Sequence, residues 1–390
     1  MMPMIYLDNS ATTPLSDAAK QAMLTAMEHY GNPSSLHPLG KEAHDLLESS
    51  RRKIALTLGL RTAPEAGQIT FCASGTEADN LAIFGTAYAK ERRRGGKIIT
   101  TDSEHPAAEN TFCALEKDGF EVVRIATRHG ELDWEQYRAA LDKRVFLVSM
   151  MAVNNETGAA YDLKRAFTMA KAIDPAIVTH TDAVQGYLKS RFSPSAIKAD
   201  LVSVSAHKIH GPKGVGALYA SPEALKRRDL IPTVLGGGQE HGFRSGTENV
   251  IGIAGFGAAA EEEFRSLAAT LPHLQSLRES AIKQLSALPV TLNLPRGACA
   301  PHILSITLPD IRSETMLHAL SQDGICVSAG SACSSHSKKI SRALTGFGLS
   351  PAAIECTVRV SFGRQNTLTD VDRLVESLKH NIDRLVKIHH

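Results

Sequence analysis

The sequence predicts an α/β fold: an open, mainly parallel sheet covered by helices on both faces. Short apolar runs alternate with helical stretches from about residue 69 to residue 219. Polar residues follow most of these runs directly, as at the carboxyl ends of parallel strands, where such sheets bind ligands. Both observations favour a single large sheet whose one edge carries a site.

The first elements are helices. One is predicted over residues 17–30, with Ser16 as its N-cap, and a second amphipathic helix is predicted to end at Gly59. Apolar runs then predict the strands, and helices are predicted between them at 78–91 and 163–173. The predicted strands are 69–72, 97–101, 122–125, 145–153, 177–181, 201–205 and 215–219.

The last third of the chain predicts a smaller α/β unit. A long helical stretch, 249–285, leads into strands at 303–307 and 358–361 and helices at 314–321 and 370–388. We therefore predict a large domain of residues 15–258. A small domain of residues 1–14 and 259–390 is predicted to carry a cysteine loop at about 326–342.

Bulk composition excludes several classes of protein. Hydrophobic residues make up 43% and charged residues 22%, as in globular proteins, and the net charge of +2 creates no field toward nucleic acid or membranes. The six cysteines show neither disulfide nor zinc spacing, so we expect no metal site. The N-terminus lacks a signal-peptide pattern. A reducing, cytoplasmic location is expected.

Lys208 is the first candidate for catalysis. It lies beside His207 at the end of a buried strand, before a turn rich in glycine and proline. An amine in that position can hold the aldehyde of pyridoxal phosphate (PLP) as an imine. Lys213, inside the following turn, is the competing lysine, although a solvated loop lysine is its simpler interpretation.

Three residues could contact the cofactor ring. Asp182 follows a nearby strand and could keep the ring nitrogen protonated, a role compatible with capping the next helix. Gln185 could donate to the ring oxygen. His105 could cover the ring face, although as an isolated residue it is more typical of a surface or capping histidine.

A strand, a turn and a helix at Ser74, Gly75 and Thr76 form a candidate phosphate site, because helix N-termini bind anions. Ser205 and His207 could add donors to the same group. The alternative for this segment is an ordinary capping box with Glu77 or Asp79.

A second candidate site lies near the C-terminus. Cys333 sits in a small-residue loop with serines, a histidine and two lysines nearby, and a polar, cationic setting raises the thiolate fraction. Arg359 could clamp a substrate carboxylate, or form a structural ion pair. The glycine-rich loop 235–247 is either a connector or a close approach to a ligand or partner chain.

Taken together, these motifs closely resemble the NifS/IscS-type cysteine desulfurases, which are fold-type I PLP enzymes of the class-V aminotransferase group. The resemblance runs nearly end to end. Its motifs are YLDNSATTP at 6–14, SGTEADN at 74–80, EH at 104–105, VNNETG at 153–158, DAVQ at 182–185, SAHKIHGPKG at 205–214, RSGT at 244–247, GSACS at 330–334 and VRVSFG at 358–363.

The resemblance implies a sulfurtransferase that converts L-cysteine to L-alanine and leaves a persulfide on Cys333. It implies that Lys208 binds PLP and moves protons, and that His105 stacks on the ring and assists acid–base steps. Asn155 and Arg359 would bind the substrate carboxylate, with Asn155 also near the cofactor. Thr247 would reach the phosphate of a neighbouring subunit, which implies a homodimer.

Several alternatives stay open. A selenocysteine lyase or a dual-substrate enzyme would use the same residues, another PLP reaction would not need Cys333, and a catalytically silent relative would not need the whole set. The sulfur acceptor could serve iron–sulfur cluster assembly, tRNA thiolation or cofactor sulfuration. The loop after Cys333 has its own length and charges, so its acceptor could differ from that of the best-studied members. The short segment after the last helix weakens the expectation that the protein docks an iron–sulfur scaffold.

Overall fold

The computed structural model describes residues 4–62, 68–90, 95–329 and 340–385. Strands and helices alternate along most of the chain. The strands are β1 (Ile5–Tyr6), β2 (Ile69–Cys72), β3 (Lys97–Thr101), β4 (Glu121–Ile125), β5 (Val145–Ser149), β6 (Val178–Asp182), β7 (Leu201–Ser205), β8 (Gly216–Ala220), β9 (Thr291–Leu292), β10 (Ile303–Thr307), β11 (Ile325–Cys326), β12 (Ser328–Ala329) and β13 (Thr357–Ser361).

Helices separate these strands, and most begin at a side-chain cap. They are α1 (Asp17–Glu28), α2 (Pro38–Thr57), α3 (Gly75–Tyr88), α4 (Pro106–Lys117), α5 (Trp134–Ala140), α6 (Leu163–Ile173), α7 (Pro194–Ile197), α8 (Pro222–Lys226), α9 (Val250–Leu285), α10 (Ser313–Gln322), α11 (Arg342–Phe347), α12 (Pro351–Glu355) and α13 (Leu368–Arg384).

Seven strands form the large sheet in the order β2-β8-β7-β6-β5-β3-β4. Only β8 runs against its neighbours; the other strand pairs are parallel. The central strands are buried along their whole length, as expected when helices cover both faces. The predicted α/β class is therefore confirmed, and the carboxyl ends of six strands share one edge.

Two boundaries differ from the sequence prediction for local reasons. β5 ends at Ser149 rather than residue 153, because the Met151 amide donates to the buried carboxylate of Glu104 at 2.9 Å and leaves the strand ladder. α3 begins at Gly75 rather than residue 78, because the Ser74 hydroxyl accepts from the Glu77 amide at 3.1 Å and caps the helix there.

A second, antiparallel sheet has the order β12-β13-β10-β9 and its own hydrophobic cluster. β1 pairs with β11, so the N-terminal strand joins this C-terminal part of the chain. α9 connects the two sheets by packing against α1 and α2 and then against α13. The predicted domain limits remain a prediction, since α9 runs without a break across residue 258.

The glycine-rich loop 235–247 is fastened by a buried ion pair. Arg51, on α2, donates to both carboxylate oxygens of Glu240 at 2.7 and 2.8 Å. The same carboxylate accepts from the Phe71 amide at 2.7 Å, while Arg51 also reaches the Ile69 carbonyl at 2.6 Å. We name Arg51, Glu240 and these strand β2 contacts the loop anchor.

Two broader properties concern the described part of the chain. Within it, no helix has both the length and the apolar character required to span a bilayer. Its five cysteines are not joined in disulfides. Cys72 is buried, whereas Cys113 and Cys326 are only partly buried.

Candidate active site

Lys208 lies where the large sheet meets the N-terminal segment. β7 ends at Ser205, and a 3₁₀ turn over Ala206–Lys208 follows at once. The turn directs Nζ to the backbone carbonyls of Ser10 and Ala11, at 2.5 and 2.7 Å. Two carbonyl acceptors orient the amine at the carboxyl edge of the sheet, where the predicted site lies.

His207 also binds the N-terminal segment. Its carbonyl accepts from the Thr13 amide at 2.9 Å, and its Nδ1 lies 3.2 Å from the Thr12 hydroxyl. Burial lowers the pKa of His207 to about 4, and the positive charges of Lys208 and Lys213 act in the same direction. The imidazole is therefore neutral near pH 7, with one N–H to donate.

Asp182 is the last residue of β6 and is buried. Its Oδ1 accepts from the Val184 amide at 2.8 Å. Burial raises the pKa of Asp182, while His105 and Lys208 favour its ionised form. Burial raises the pKa of neighbouring Asp79 well above its usual range, and the charge of Asp182 adds to that rise. The pKa is raised more strongly at Asp79 than at Asp182, and Asp182 has His105 and Lys208 as compensating charges.

Gln185 follows Asp182 by three residues and is buried. Its Nε2 donates to the Ser10 carbonyl at 2.8 Å, the same oxygen that Lys208 contacts. Its Oε1 lies 3.4 Å from Nε2 of His302. The amide therefore lies beside the Lys208 amine.

His105 is the N-cap of α4, because its Nδ1 accepts from the Ala107 amide at 3.2 Å. The capping alternative is therefore correct, and it leaves Nε2 for another partner. The ring lines an open recess of 410 Å³ together with Thr76. Although solvent reaches it, the surrounding protein desolvates it and lowers its pKa, with Asp182 opposing and Lys208 adding to the shift.

The predicted phosphate site has a tight backbone and an unused hydroxyl. A Cβ at Gly75 would lie 2.7 Å from Val184 Cγ2 and 3.3 Å from Ser205 Cβ, so the helix start requires glycine. The Ser205 hydroxyl is buried and has no hydrogen-bond partner in the described part of the chain. Thr76 is exposed at the same helix start. Ser74 and Glu77 cap the helix, so both interpretations of this segment are compatible.

Arg359, on β13, is buried and reaches the site from the second sheet. It donates to the Asn155 carbonyl at 2.8 Å and to Asp8 Oδ1 at 3.0 Å. Its Nε has no hydrogen-bond partner among the residues described. Arg359 therefore forms the structural ion pair, with Asp8, and its Nε remains available to donate to a ligand. Asn155 contributes its backbone, and its side chain is partly exposed.

Two predicted residues are not part of this group of contacts. Thr247 is exposed on the glycine-rich loop. Cys333 lies outside the described residues, as does most of the predicted cysteine loop. In the ranges that the structure covers, no group of three or more potential metal ligands is assembled.

The sequence prediction missed several polar groups around Lys208. Glu104 is buried, and burial raises its pKa to about 8. Lys189 has an Nζ that lacks a hydrogen-bond partner among the described residues, and burial lowers its pKa to about 7. The carbonyls of Ser10 and Ala11 were missed because any residue type carries one. Glu104 belongs to one of the motifs given above, and a charged residue three positions after a buried strand was the available signal.

The family model for aminotransferase class-V matches residues 5–374. The chain belongs to the aminotransferase class-V family. Within this family it is 39% identical to a "NifS/IcsS protein homolog" of Lactobacillus delbrueckii subsp. bulgaricus, with 99% of each chain covered. It is 38% identical to cysteine desulfurase IscS of Methanosarcina thermophila, over 98% of this chain and 92% of that one.

A solved structure of this class-V group supports the same assignment. A NifS-like protein superimposes with a TM-score of 0.90 at 33% identity, covering 98% of this chain and 100% of that one. The predicted resemblance to NifS/IscS-type proteins is thus confirmed over the full length of the chain.

Proposed function

We propose that this class-V protein is a PLP-dependent cysteine desulfurase, which converts L-cysteine to L-alanine and transfers the sulfur to Cys333. The Lys208 amine, held by two carbonyls within electrostatic range of Asp182 and His105, is the observation that carries the proposal. Full-length similarity to a protein named cysteine desulfurase selects this reaction among PLP chemistries.

The residues present fit PLP at three points. The buried Ser205 hydroxyl without a partner and the tight start of α3 at Gly75 suit a phosphate, with Thr76 and His207 as further donors. The Asp182 carboxylate suits a protonated ring nitrogen. Lys208 suits the aldehyde. When bound, PLP supplies an electron sink that weakens bonds at the α and β carbons of an amino acid.

The protein side of the reaction is proton placement. Lys208 lies where its amine can take and return a proton at the substrate carbon, because the Ser10 and Ala11 carbonyls restrict its position. Burial raises the pKa of Asp79 well above its usual range, while His105 and Lys208 favour the ionised form of Asp182. Because His105 Nδ1 accepts from the Ala107 amide, the proton of the neutral ring lies on Nε2, from which it can be donated.

Arg359 and Asn155 form the proposed carboxylate site. The unused Nε of Arg359 and its fork can bind the carboxylate of L-cysteine. Asp8 shares the same guanidinium at 3.0 Å and holds it in place before substrate binds. Arg359 would therefore bind the α-carboxylate of L-cysteine and leave the sulfur at the opposite end of the substrate.

Cys333 completes the reaction as the sulfur acceptor. Its thiolate attacks the substrate sulfur, so that an S–S bond forms and the substrate C–S bond breaks. The electron pair of the broken bond stays on carbon, which takes a proton to become alanine, and the enzyme keeps a persulfide. One cysteine thus gives one alanine and one persulfide.

The decisive experiment incubates the purified protein with L-cysteine and a reductant. Alanine and sulfide should appear in equal amounts, and Cys333→Ala should stop sulfide release while retaining bound PLP. Sulfide production by Cys333→Ala would overturn the assignment of Cys333. Faster turnover of L-selenocysteine in a parallel assay would instead identify a selenocysteine lyase.

Cofactor attachment is tested separately. Borohydride reduction followed by peptide mapping should place PLP on Lys208. PLP on Lys213 would refute the proposed anchor, while leaving the class of enzyme intact.

We also propose a homodimer in which Thr247 contacts the phosphate of the neighbouring subunit. Exposed apolar side chains on α1, on the segment that follows it and on the glycine-rich loop support this, because such surface is common at subunit contacts. These side chains are Leu24, Met27, Tyr30, Leu36 and Leu235. Light scattering should show a dimer, and Leu235→Asp should weaken it; a monomer that binds PLP fully would refute both points.

The proposed sulfur acceptor is a protein or thiol that reaches the persulfide on Cys333. An iron–sulfur scaffold, a tRNA-thiolation enzyme and an enzyme of cofactor sulfuration are the candidate classes, in a reducing cytosol consistent with the free cysteines. Transfer of ³⁵S from labelled L-cysteine to each candidate, resolved by non-reducing electrophoresis, distinguishes them.

A further inference from the structure

A buried histidine outside the predicted site contacts Gln185. His302, directly before β10, has no exposed surface, and its Nε2 lies 3.4 Å from Gln185 Oε1. The Phe362 amide donates to the His302 carbonyl at 2.9 Å and fixes the backbone. His302 thus belongs to the second sheet, whereas Gln185 follows β6 of the large sheet.

The orientation of the Gln185 amide follows from its other partner. Nε2 donates to the Ser10 carbonyl at 2.8 Å, and that oxygen also accepts from Lys208 at 2.5 Å. A carbonyl can only accept, so the NH₂ group of Gln185 must lie on the Lys208 side. Oε1 therefore points to His302.

The position of the proton on His302 follows in turn. Because Oε1 only accepts, Nε2 must donate, and the proton belongs on Nε2. Nδ1 is buried without a hydrogen-bond partner among the described residues, so a proton there would leave an unsatisfied N–H. Burial lowers the pKa of His302 well below its usual range, and the charges of Lys189 and Arg359 add to the shift. The ring is neutral with a single N–H.

The surroundings preserve this state. Lys189 follows Gln185 by four residues in a turned segment, and it lies within electrostatic range of both His302 and Lys208. Glu263, on α9, is the acidic group that interacts with Lys189. A positive Lys189 opposes a second proton on His302, and so does Arg359.

We propose that His302 is the positioning residue of Gln185: its Nε2–H fixes the amide so that the NH₂ group faces Lys208 and the cofactor bound there. The proposal rests on PLP binding by the proposed function. In this proposal a residue next to the second sheet, His302, orients the amide donor of Gln185, which follows a strand of the large sheet. Without His302, one of the two contacts that orient the amide is lost.

The first test measures the pH midpoint of the bound cofactor's absorbance change. A donor at the ring oxygen stabilises its negative charge, so misplacing that donor should raise the midpoint by roughly half a pH unit in His302→Leu. His302→Gln should restore the midpoint, because its amide nitrogen can occupy the place of Nε2. Asn293→Leu is the matched control: Asn293 is buried and bonds Ser305 in the same sheet, and its loss should leave the midpoint unchanged.

A double-mutant cycle separates positioning from a direct effect. In a Gln185→Leu background, His302→Leu should add no further shift. An equal shift in both backgrounds, or no shift in the single variant, would overturn the proposal. Thermal unfolding of each variant shows whether lost stability alone explains a shift, and His302→Gln keeps the test open if the leucine variant does not fold.

A second readout needs neither cofactor nor activity. ¹⁵N NMR of histidine-labelled protein should show His302 as the neutral Nε2–H tautomer, identified by its loss in His302→Gln. An Nδ1–H tautomer or a charged ring would refute the proposal. If the protein bound no PLP, the proposed function would fail, whereas the tautomer assignment would still be judged by this spectrum.

Discussion

The loop anchor and the candidate active site differ in whether their buried polar groups have hydrogen-bond partners. At the anchor, Arg51 bonds Glu240, Glu48 and the Ile69 carbonyl, and the Glu240 carboxylate also accepts from Phe71. Such satisfied pairs hold backbone segments together. The anchor needs nothing from a ligand, and its role is structural.

At the active site, polar atoms are buried without partners among the described residues. These include Ser205 Oγ, Arg359 Nε and Glu104 Oε2. Each such group lowers the free energy of unfolding by about 1–3 kcal/mol. A group with this cost is therefore expected where function requires it. The comparison shows that the Arg51–Glu240 pair is fully hydrogen-bonded within the protein, whereas the candidate site keeps hydrogen-bonding groups that a ligand could use. Four substitutions test that distinction.

Arg51→Met should have the largest effect on folding. It leaves the Glu240 carboxylate buried and unpaired, which costs about 3–5 kcal/mol of unfolding free energy. Denaturant unfolding should show this loss. Arg51→Met combined with Glu240→Gln should recover most of the stability; no recovery would mean that the pair is not what holds the loop.

Glu104→Gln should change the pH dependence of stability. The folded pKa of Glu104 is raised to about 8 from 4.5, so its contribution to stability is fully present below pH 4.5 and lost as pH rises through 8. Relative to wild type, the variant should therefore gain about 4 kcal/mol between pH 5 and pH 8.5. Parallel stability-versus-pH curves for the two proteins would contradict this.

Arg359→Met should reduce catalysis more than folding. Losing a charge-assisted contact with the substrate carboxylate should lower kcat/KM for L-cysteine roughly thirtyfold, mainly by raising KM. This factor corresponds to a loss of about 2 kcal/mol in transition-state stabilisation. Arg359→Lys keeps the charge but not the fork, and should recover only part of the loss. A stability loss as large as that of Arg51→Met would instead make Arg359 a structural residue.

Ser205→Ala should have the smallest effect. The hydroxyl makes no hydrogen bond in the described protein, so removing it should leave the cofactor-free form as stable or slightly more stable. PLP affinity should fall by about 1 kcal/mol, or fivefold, in a fluorescence titration. Unchanged affinity would exclude Ser205 from the phosphate site.

Sequence reasoning predicted most of the large sheet and the candidate residues at strand ends. Strand 201–205 has the bounds of β7, and Lys208 and Asp182 were selected because polar residues after apolar runs gather at one edge. Boundaries failed where a distant side chain intervened, as Glu104 does at Met151. Backbone carbonyls and buried neighbours such as His302 have no local signature, because their role depends on contacts between segments far apart in sequence.

The sequence by itself determined the alternation of strands and helices, the edge that carries the site and the residue types that suit PLP, because hydrophobic periodicity and strand-end polarity are local properties. Only the tertiary structure decided which groups meet there. Ser10 reaches Lys208 across nearly two hundred residues, and His302 reaches Gln185 from another sheet. Packing brings these atoms together, and burial then sets their protonation, since both depend on every segment that surrounds the site.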